Sequence, residues 1–306
     1  MAIRRVNPAA SALLACGLLI ACLGALAADP PPDEKLTPMQ AAWREAAPSF
    51  VRGPRKIPLK DQADLDLPEQ YAYLPPGPAA KLMAKMGNST GENFLGLVVP
   101  TGDDADFFVT VVFDPAGYVK DDDAKHWDAD GLLKELKEGT EEQNKIREAS
   151  GIPGITVERW VEVPAYQAAS HQLVWSVETR AKSGPDTDPG VNYNTYVLGR
   201  EGYLSLDLVT ALASVEKDKP SAHALLDAIS FRDGKRYGDF TPSTDKVAAY
   251  GLAALVAGVA AKKLGLLALA GVTIVKFAKV IILAVTGAGA VVVKWFKGRG
   301  AKDASA

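Results

Sequence analysis

The chain is 306 residues long, with 48% hydrophobic and 23% charged residues and a formal net charge of −3 at pH 7; that length leaves room for about two domains. The charge is unevenly spread: residues 1–28 carry +2, residues 29–246 carry −12 and residues 247–306 carry +7. An acidic body followed by a basic, very apolar tail argues against a uniform cytosolic globule and for membrane attachment, and it excludes nucleic acid as a partner, because phosphate neutralisation requires clustered Lys and Arg.

The N-terminus has the three parts of a secretory signal. Arg4 and Arg5 supply the positive start, residues 9–26 the apolar middle, and Ala25-Leu26-Ala27 the small-x-small cleavage site. A signal peptide is therefore expected over 1–27. In a second reading, Leu19-Ile20-Ala21-Cys22 is a lipobox that ends with acylation of Cys22. Cys16 and Cys22 are the only cysteines, so cleavage near Ala27 leaves none in the mature chain. Disulfides and thiolate-bound metals are then excluded.

Residues 28–57 are rich in proline and read as an extended leader with one short helix over 38–46. The main α+β domain is expected over 58–246. A helix is predicted over 78–86, with Pro78 at its start and Gly87 at its end. Strands follow over 94–100 and 107–113, the second a continuous apolar run. Two helices are expected over 123–138 and 141–149, the latter opened by the capping box Thr140-Glu141-Glu142-Gln143. Four strands come next, over 155–163, 171–180, 191–198 and 203–212. Alternation puts Leu173, Trp175 and Val177 on one face of their strand, and Leu204, Leu206 and Leu208 on one face of theirs. A helix over 221–229 packs behind the sheet. The fold class is α+β, a mostly antiparallel sheet with flanking helices, followed by a C-terminal apolar transmembrane region.

That region is expected over 247–296, with a basic tail over 297–306. Its apolar pieces, 247–261, 264–275 and 280–293, are separated by Lys262-Lys263, Lys276 and Lys279. Each is shorter than the roughly 20 residues a helix needs to cross a bilayer, so a span must carry at least one lysine. One principal span within 264–296 is expected, preceded by an apolar helix over 247–261, with a two-pass hairpin as the alternative. Export puts the acidic domain in the periplasm of a bacterial inner membrane, the positive residues after 293 favour the cytoplasmic side, and an odd number of crossings fits both. Small-xxx-small pairs in this region permit homo-oligomers.

Three stretches carry a family resemblance. Gly117-Tyr118-Val119-Lys120-Asp121-Asp122-Asp123-Ala124, Val191-Asn192-Tyr193-Asn194 with Leu198-Gly199-Arg200, and Thr244-Asp245-Lys246-Val247-Ala248-Ala249-Tyr250-Gly251-Leu252 resemble the signature segments of a bacterial family of uncharacterised, membrane-anchored proteins, domain of unknown function 2167. The resemblance spans most of residues 45–296. It implies a signal, an exported domain and a C-terminal anchor, and no catalytic residues.

The sharpest polar cluster is Asp121-Asp122-Asp123 with His126. Such a run can offer oxygen ligands to Ca²⁺ or Mg²⁺, or carboxylate and imidazole to Zn²⁺. It can equally cap a helix and favour the positive end of its dipole. Lys120, Asn192, Asn194 and Arg200 are candidates for an anion or peptide site, or else satisfy turn carbonyls and buried carboxylates. Gly87-Asn88-Ser89-Thr90-Gly91 matches G-x-S-x-G, but a helix precedes it and a strand follows, the reverse of a nucleophile elbow. It reads as a turn. His171 is expected in the core and His223 on a helix surface. The sequence thus points to a non-enzymatic binding or scaffold module that takes no cofactor. Its expected partners are the lipid bilayer and another envelope protein or cell-wall component. A divalent-metal hydrolase built on Asp121–Asp123 and His126 is the alternative.

Overall fold

A computed structural model describes residues 38–257, apart from 87, 89, 103, 104, 150, 152 and 184–188. The expected signal peptide, the first part of the leader, the lysine-interrupted apolar pieces beyond 257, the basic tail and Ser89 of the G-x-S-x-G match lie outside the described residues.

Thirteen strands and five α-helices are described. In chain order they are α1 (Pro38–Ala46), β1 (Val51–Arg52), β2 (Arg55–Leu59), β3 (Ala63–Leu67), β4 (Tyr71–Leu74), α2 (Pro76–Lys85), β5 (Phe94–Pro100), β6 (Phe108–Asp114), β7 (Tyr118–Lys120), α3 (Ala129–Ala149), β8 (Ile155–Gln167), β9 (Gln172–Ala181), β10 (Gly190–Leu198), β11 (Tyr203–Ala211), α4 (Val215–Asp227), β12 (Ile229–Phe231), β13 (Val247–Gly251) and α5 (Leu252–Val256). Eight strands form one sheet in the order β1-β4-β5-β6-β11-β10-β9-β8, with every neighbouring pair antiparallel. A second sheet runs β12-β3-β2, and β13 pairs with β7 in a parallel ribbon. The fold is α+β around a large antiparallel sheet, as the strand pattern predicts.

Both faces of the large sheet are covered. On the first face, Val109 and Val111 of β6, Leu204, Leu206 and Leu208 of β11 and Tyr193 of β10 meet the small sheet and Leu225 and Leu226 of α4. The second face is covered in two places. At one end α1 and α2 set Trp43, Leu82 and Met83 against Leu97 and Phe108. At the other, α3, α5 and the β7–β13 ribbon set Leu132, Val119 and Leu252 against Leu173, Trp175 and Val177 of β9. The two predicted alternations are both present, and they face opposite sides of the sheet.

The differences from expectation have local causes. The helices expected over 123–138 and 141–149 are one helix, α3, because Thr140 turns its hydroxyl to the Leu136 carbonyl at 2.8 Å instead of capping a new start. The helix begins at Ala129, where the Asp128 carboxylate accepts the Asp130 N–H, since Asp122–Lys125 form a separate 3₁₀ turn. The helix expected over 221–229 starts at Val215 and runs through Pro220, held by the burial of Val215, Ala222, Leu225 and Leu226. The leader expected over 28–57 already contains α1, β1 and most of β2, so the folded domain starts well before residue 58. Proline misled there: Pro58 sits in β2, an edge strand, where a missing N–H is tolerated. At the other end, the apolar helix expected from Val247 opens as strand β13 before α5. Among the described residues no helix is long and apolar enough to cross a membrane.

Candidate functional site

The first and last of the three signature segments meet at one corner. Tyr118 donates its backbone N–H to the Lys246 carbonyl at 2.8 Å, and β7 then lies alongside β13. Gly117 permits this contact. It holds φ +96, and a Cβ there would stand 2.6 Å from the Lys246 oxygen, in backbone space that other residues rarely enter.

The acidic run is divided between two tasks. The Asp123 carboxylate accepts the N–H groups of Leu252 at 3.1 Å and Ala253 at 3.0 Å, capping α5 from 129 and 130 positions away in sequence. Gly251, at the N-cap position, has no side chain to do this, and a Cβ on it would meet Asp123 Oδ2 at 2.4 Å. Asp121 instead accepts the Tyr166 hydroxyl at 2.7 Å, and the same phenol oxygen lies 3.2 Å from His171 Nδ1. With the phenol proton given to the carboxylate, His171 must donate from Nδ1, which leaves Nε2 as the acceptor of the neutral ring. Burial first, and then the Asp121 carboxylate, push the Tyr166 phenol far above its ordinary range and keep it protonated.

His171 is not the core strand residue the parity suggests. It sits in the β8–β9 turn at φ 54, its ring tilted against Tyr237 at 4.2 Å. That ring contact and the phenol bond hold a left-handed backbone that non-glycine residues seldom take. Tyr237 lies against Tyr118 at 4.4 Å and donates to the Val119 carbonyl at 2.9 Å, and Phe240 closes on Tyr118 at 3.8 Å.

Arg200 completes the corner. Its guanidinium donates to both oxygens of Asp245, each at 2.7 Å, and Asp245 also accepts the Thr241 N–H at 2.7 Å. These bonds hold the Asp245 carboxyl well below the usual carboxylate range. Arg200 is thus a positioning residue for the approach to β13, the role of satisfying a carboxylate weighed for it above.

The remaining candidates are placed as follows. Lys120 is exposed beside Gly251 in the ribbon register, Asp122 is exposed in the 3₁₀ turn, and exposed His126 closes that turn with its N–H on the Asp123 carbonyl at 3.2 Å. Asn192 and Asn194 lie in mid-β10 on the second sheet face, linked by the Asn194 side-chain amide donating to the Asn192 carbonyl at 3.0 Å. Asn194 is flanked across the sheet by Trp175 and Asp207, not by the acidic run. One Asp121 oxygen is bonded to Tyr166 and both Asp123 oxygens to backbone donors, and among the described residues no group of three or more His, Cys, Asp or Glu is placed to hold a metal ion.

The structure also reveals residues that the sequence reading passed over: Tyr166, Tyr237 and Asp245 at the corner. A second network of the same kind occurs on the first face, where the Tyr193 hydroxyl lies 2.8 Å from both Glu162 Oε2 and His223 Nε2, joining β8, β10 and α4. The recurrence marks carboxylate–tyrosine–histidine linkage as this domain's way of tying β8 to its neighbours. No Ser, Thr or Cys nucleophile is bonded to either histidine among the described residues.

No functionally curated protein matches the chain. Similar solved structures include cyanobacterial PsbP (CyanoP) from Synechocystis sp. PCC 6803, at 12% identity and a TM-score of 0.35, covering 60% of this chain and 93% of that one. Another is a protein of unknown function from Pseudomonas aeruginosa, at 12% identity and a TM-score of 0.23, covering 56% and 93%. The family model described as protein of unknown function (DUF2167) matches residues 51–286, which include the whole corner and the sheet that carries it, and the chain belongs to that family.

Proposed function

We propose that this protein is a membrane-anchored component of the bacterial cell envelope whose α+β domain faces the periplasm and binds another envelope protein or cell-wall component without catalysing a reaction. The observation that carries this reading is the corner itself. Asp123, Gly117 and the Arg200–Asp245 pair fix β13 and α5 to the domain. The last described residues, up to Ala257, therefore belong to a pinned element, and the sequence that follows is the lysine-interrupted apolar stretch up to Val293. A domain tied down at its exit holds a defined face toward whatever that stretch inserts into. A loose linker would not. The Arg4-Arg5 start with its apolar run supports export, and the −12 charge of residues 29–246 supports a basic or amine-bearing partner rather than nucleic acid.

The test is topology in intact cells. Full-length chain should sediment with the inner membrane, resist extraction by carbonate and high salt, and lose its domain to protease added to spheroplasts. Recovery in the soluble fraction, or protection of the domain until the cells are lysed, overturns the reading. Cross-linking in intact cells should then trap a discrete partner. Its absence counts against the binding role while leaving the anchor standing.

A further inference from the structure

His171 is one of two described non-glycine residues at positive φ, and it ends the β8–β9 turn, where residues 167–169 are exposed. A residue with a Cβ stays in that region of backbone space only while its surroundings hold it there. Two sets of contacts do so, and both lead to α5.

The first arm is made of hydrogen bonds. His171 Nδ1 lies 3.2 Å from the Tyr166 phenol oxygen, and Tyr166 donates its O–H to Asp121 at 2.7 Å. Asp121 stands at the N-cap of the 3₁₀ turn Asp122–Lys125, which carries Asp123. That turn is closed by the Ala124 N–H on the Asp121 carbonyl and the His126 N–H on the Asp123 carbonyl, each at 3.2 Å. The Asp123 carboxylate then accepts the Leu252 and Ala253 N–H groups of α5. The second arm is made of rings. His171 lies against Tyr237 at 4.2 Å, and Tyr237 stacks on Tyr118 at 4.4 Å and donates to the Val119 carbonyl at 2.9 Å. Tyr118 and Val119 belong to β7, which pairs with β13, and β13 runs directly into α5.

We propose that the β8–β9 turn and α5 form one coupled device, in which displacing the His171 ring at the turn loosens α5 and loosening α5 releases the ring. The 3₁₀ turn is the lever. Its two carboxylates stand two residues apart in a hydrogen-bonded backbone, so a shift of Asp121 with Tyr166 tilts the segment that carries Asp123. The strained backbone of His171 supplies the second state. Without its contacts the residue relaxes to negative φ and carries Nδ1 away from the phenol. A contact made on residues 167–169 thereby has a physical route to α5, and coupling of this kind is reciprocal. The matching network on the first face has no such trigger: Tyr193 joins Glu162 to His223 at 2.8 Å each, and none of the three is at positive φ. The coupling lies within the domain and is independent of the membrane reading above.

Amide hydrogen exchange of the full-length protein tests the coupling at Leu252 and Ala253, whose N–H groups are bonded to Asp123 and to neither residue that is changed. Tyr166→Phe cuts the first arm alone and should speed exchange there about threefold. His171→Gly removes both arms while glycine tolerates the left-handed backbone, and it should speed exchange about tenfold. Tyr193→Phe makes the same chemical change in the other network and should leave both rates within about twofold of the unmodified protein. In the opposite direction, Asp123→Ala should shift the His171 ring resonances, and Tyr193→Phe should not. Should His171→Gly fail to fold, Tyr166→Phe and the ring resonances decide. Unchanged rates at Leu252 and Ala253 in both corner variants overturn the proposal, as does equal acceleration in Tyr193→Phe, which marks a general loss of stability.

Discussion

At the corner where β7 meets β13, Asp121 faces a phenol, Asp123 faces two backbone N–H groups and Asp245 faces a guanidinium. In the middle of the same side of the sheet, Asp207 turns one oxygen toward no donor among the described residues. Both places combine carboxylates with aromatic rings, and they use the charge in opposite ways. At the corner, the Arg200 guanidinium holds the Asp245 carboxyl low. At Asp207, burial favours the neutral acid and drives the carboxyl up to about 7. A satisfied carboxylate locks structure in place, whereas an unsatisfied one carries its full desolvation cost.

The largest expected effect breaks the corner alone. Gly117→Ala puts a Cβ against the Lys246 carbonyl at a positive φ, and it should cost on the order of 3 kcal/mol in denaturant unfolding.

The comparison sharpens with pH. Because Asp207 has a folded value of about 7 against an ordinary 3.8, it takes up a proton on folding between those values. Its stabilising contribution is complete below about 4 and is lost as pH rises through about 7. The loss should be about 2–3 kcal/mol once partial exposure is allowed for, and Asp207→Asn should flatten that slope and be the more stable form at pH 8. Asp106, raised to about 6 by burial and by the nearby Asp218 carboxylate, adds to the slope in the same direction. Asp245 has the opposite sign: its folded value is lowered, so its contribution is present above the unfolded value and is lost as pH falls below it. Arg200→Ala should therefore destabilise the protein at neutral pH and leave a shallower acid limb.

Smaller effects separate the two tasks of the acidic run. Asp123→Ala uncaps α5 and should cost about 1–2 kcal/mol, with Asp123→Asn recovering part of it. Tyr166→Phe leaves Asp121 without its phenol donor and should cost about 1 kcal/mol, read by thermal unfolding together with the loss of one coupled resonance on His171.

How far all this was legible from sequence depended on the range of the contacts. Helix 38–46 and strand 94–100 match expectation residue for residue, because capping, periodicity and breakers are local signals. The four strands after residue 155 follow for the same reason, with ends shifted by a few residues. Strands β1 and β2 were hidden by Gly53-Pro54, which forms the bend between them, and by Pro58, which is tolerated in an edge strand. The acidic run stood out, but its use did not, since the amides Asp123 caps lie 129 and 130 residues on. Local sequence names a capping residue without naming the helix. The covering of Asp207 was invisible for a related reason. Leu204, Leu206 and Leu208 mark one buried face of β11, and only the packing of helices on the other side shows that Ser205 and Asp207 are covered too.

The most direct test of the corner's role in fixing α5 is amide hydrogen exchange of the full-length protein and its Asp123→Ala variant. Leu252 and Ala253 should be protected in the first and exchange at least tenfold faster in the second, with β10 and β11 unchanged in both. Equal exchange at Leu252 and Ala253 in the two proteins would contradict the claim that Asp123 pins α5 to the domain.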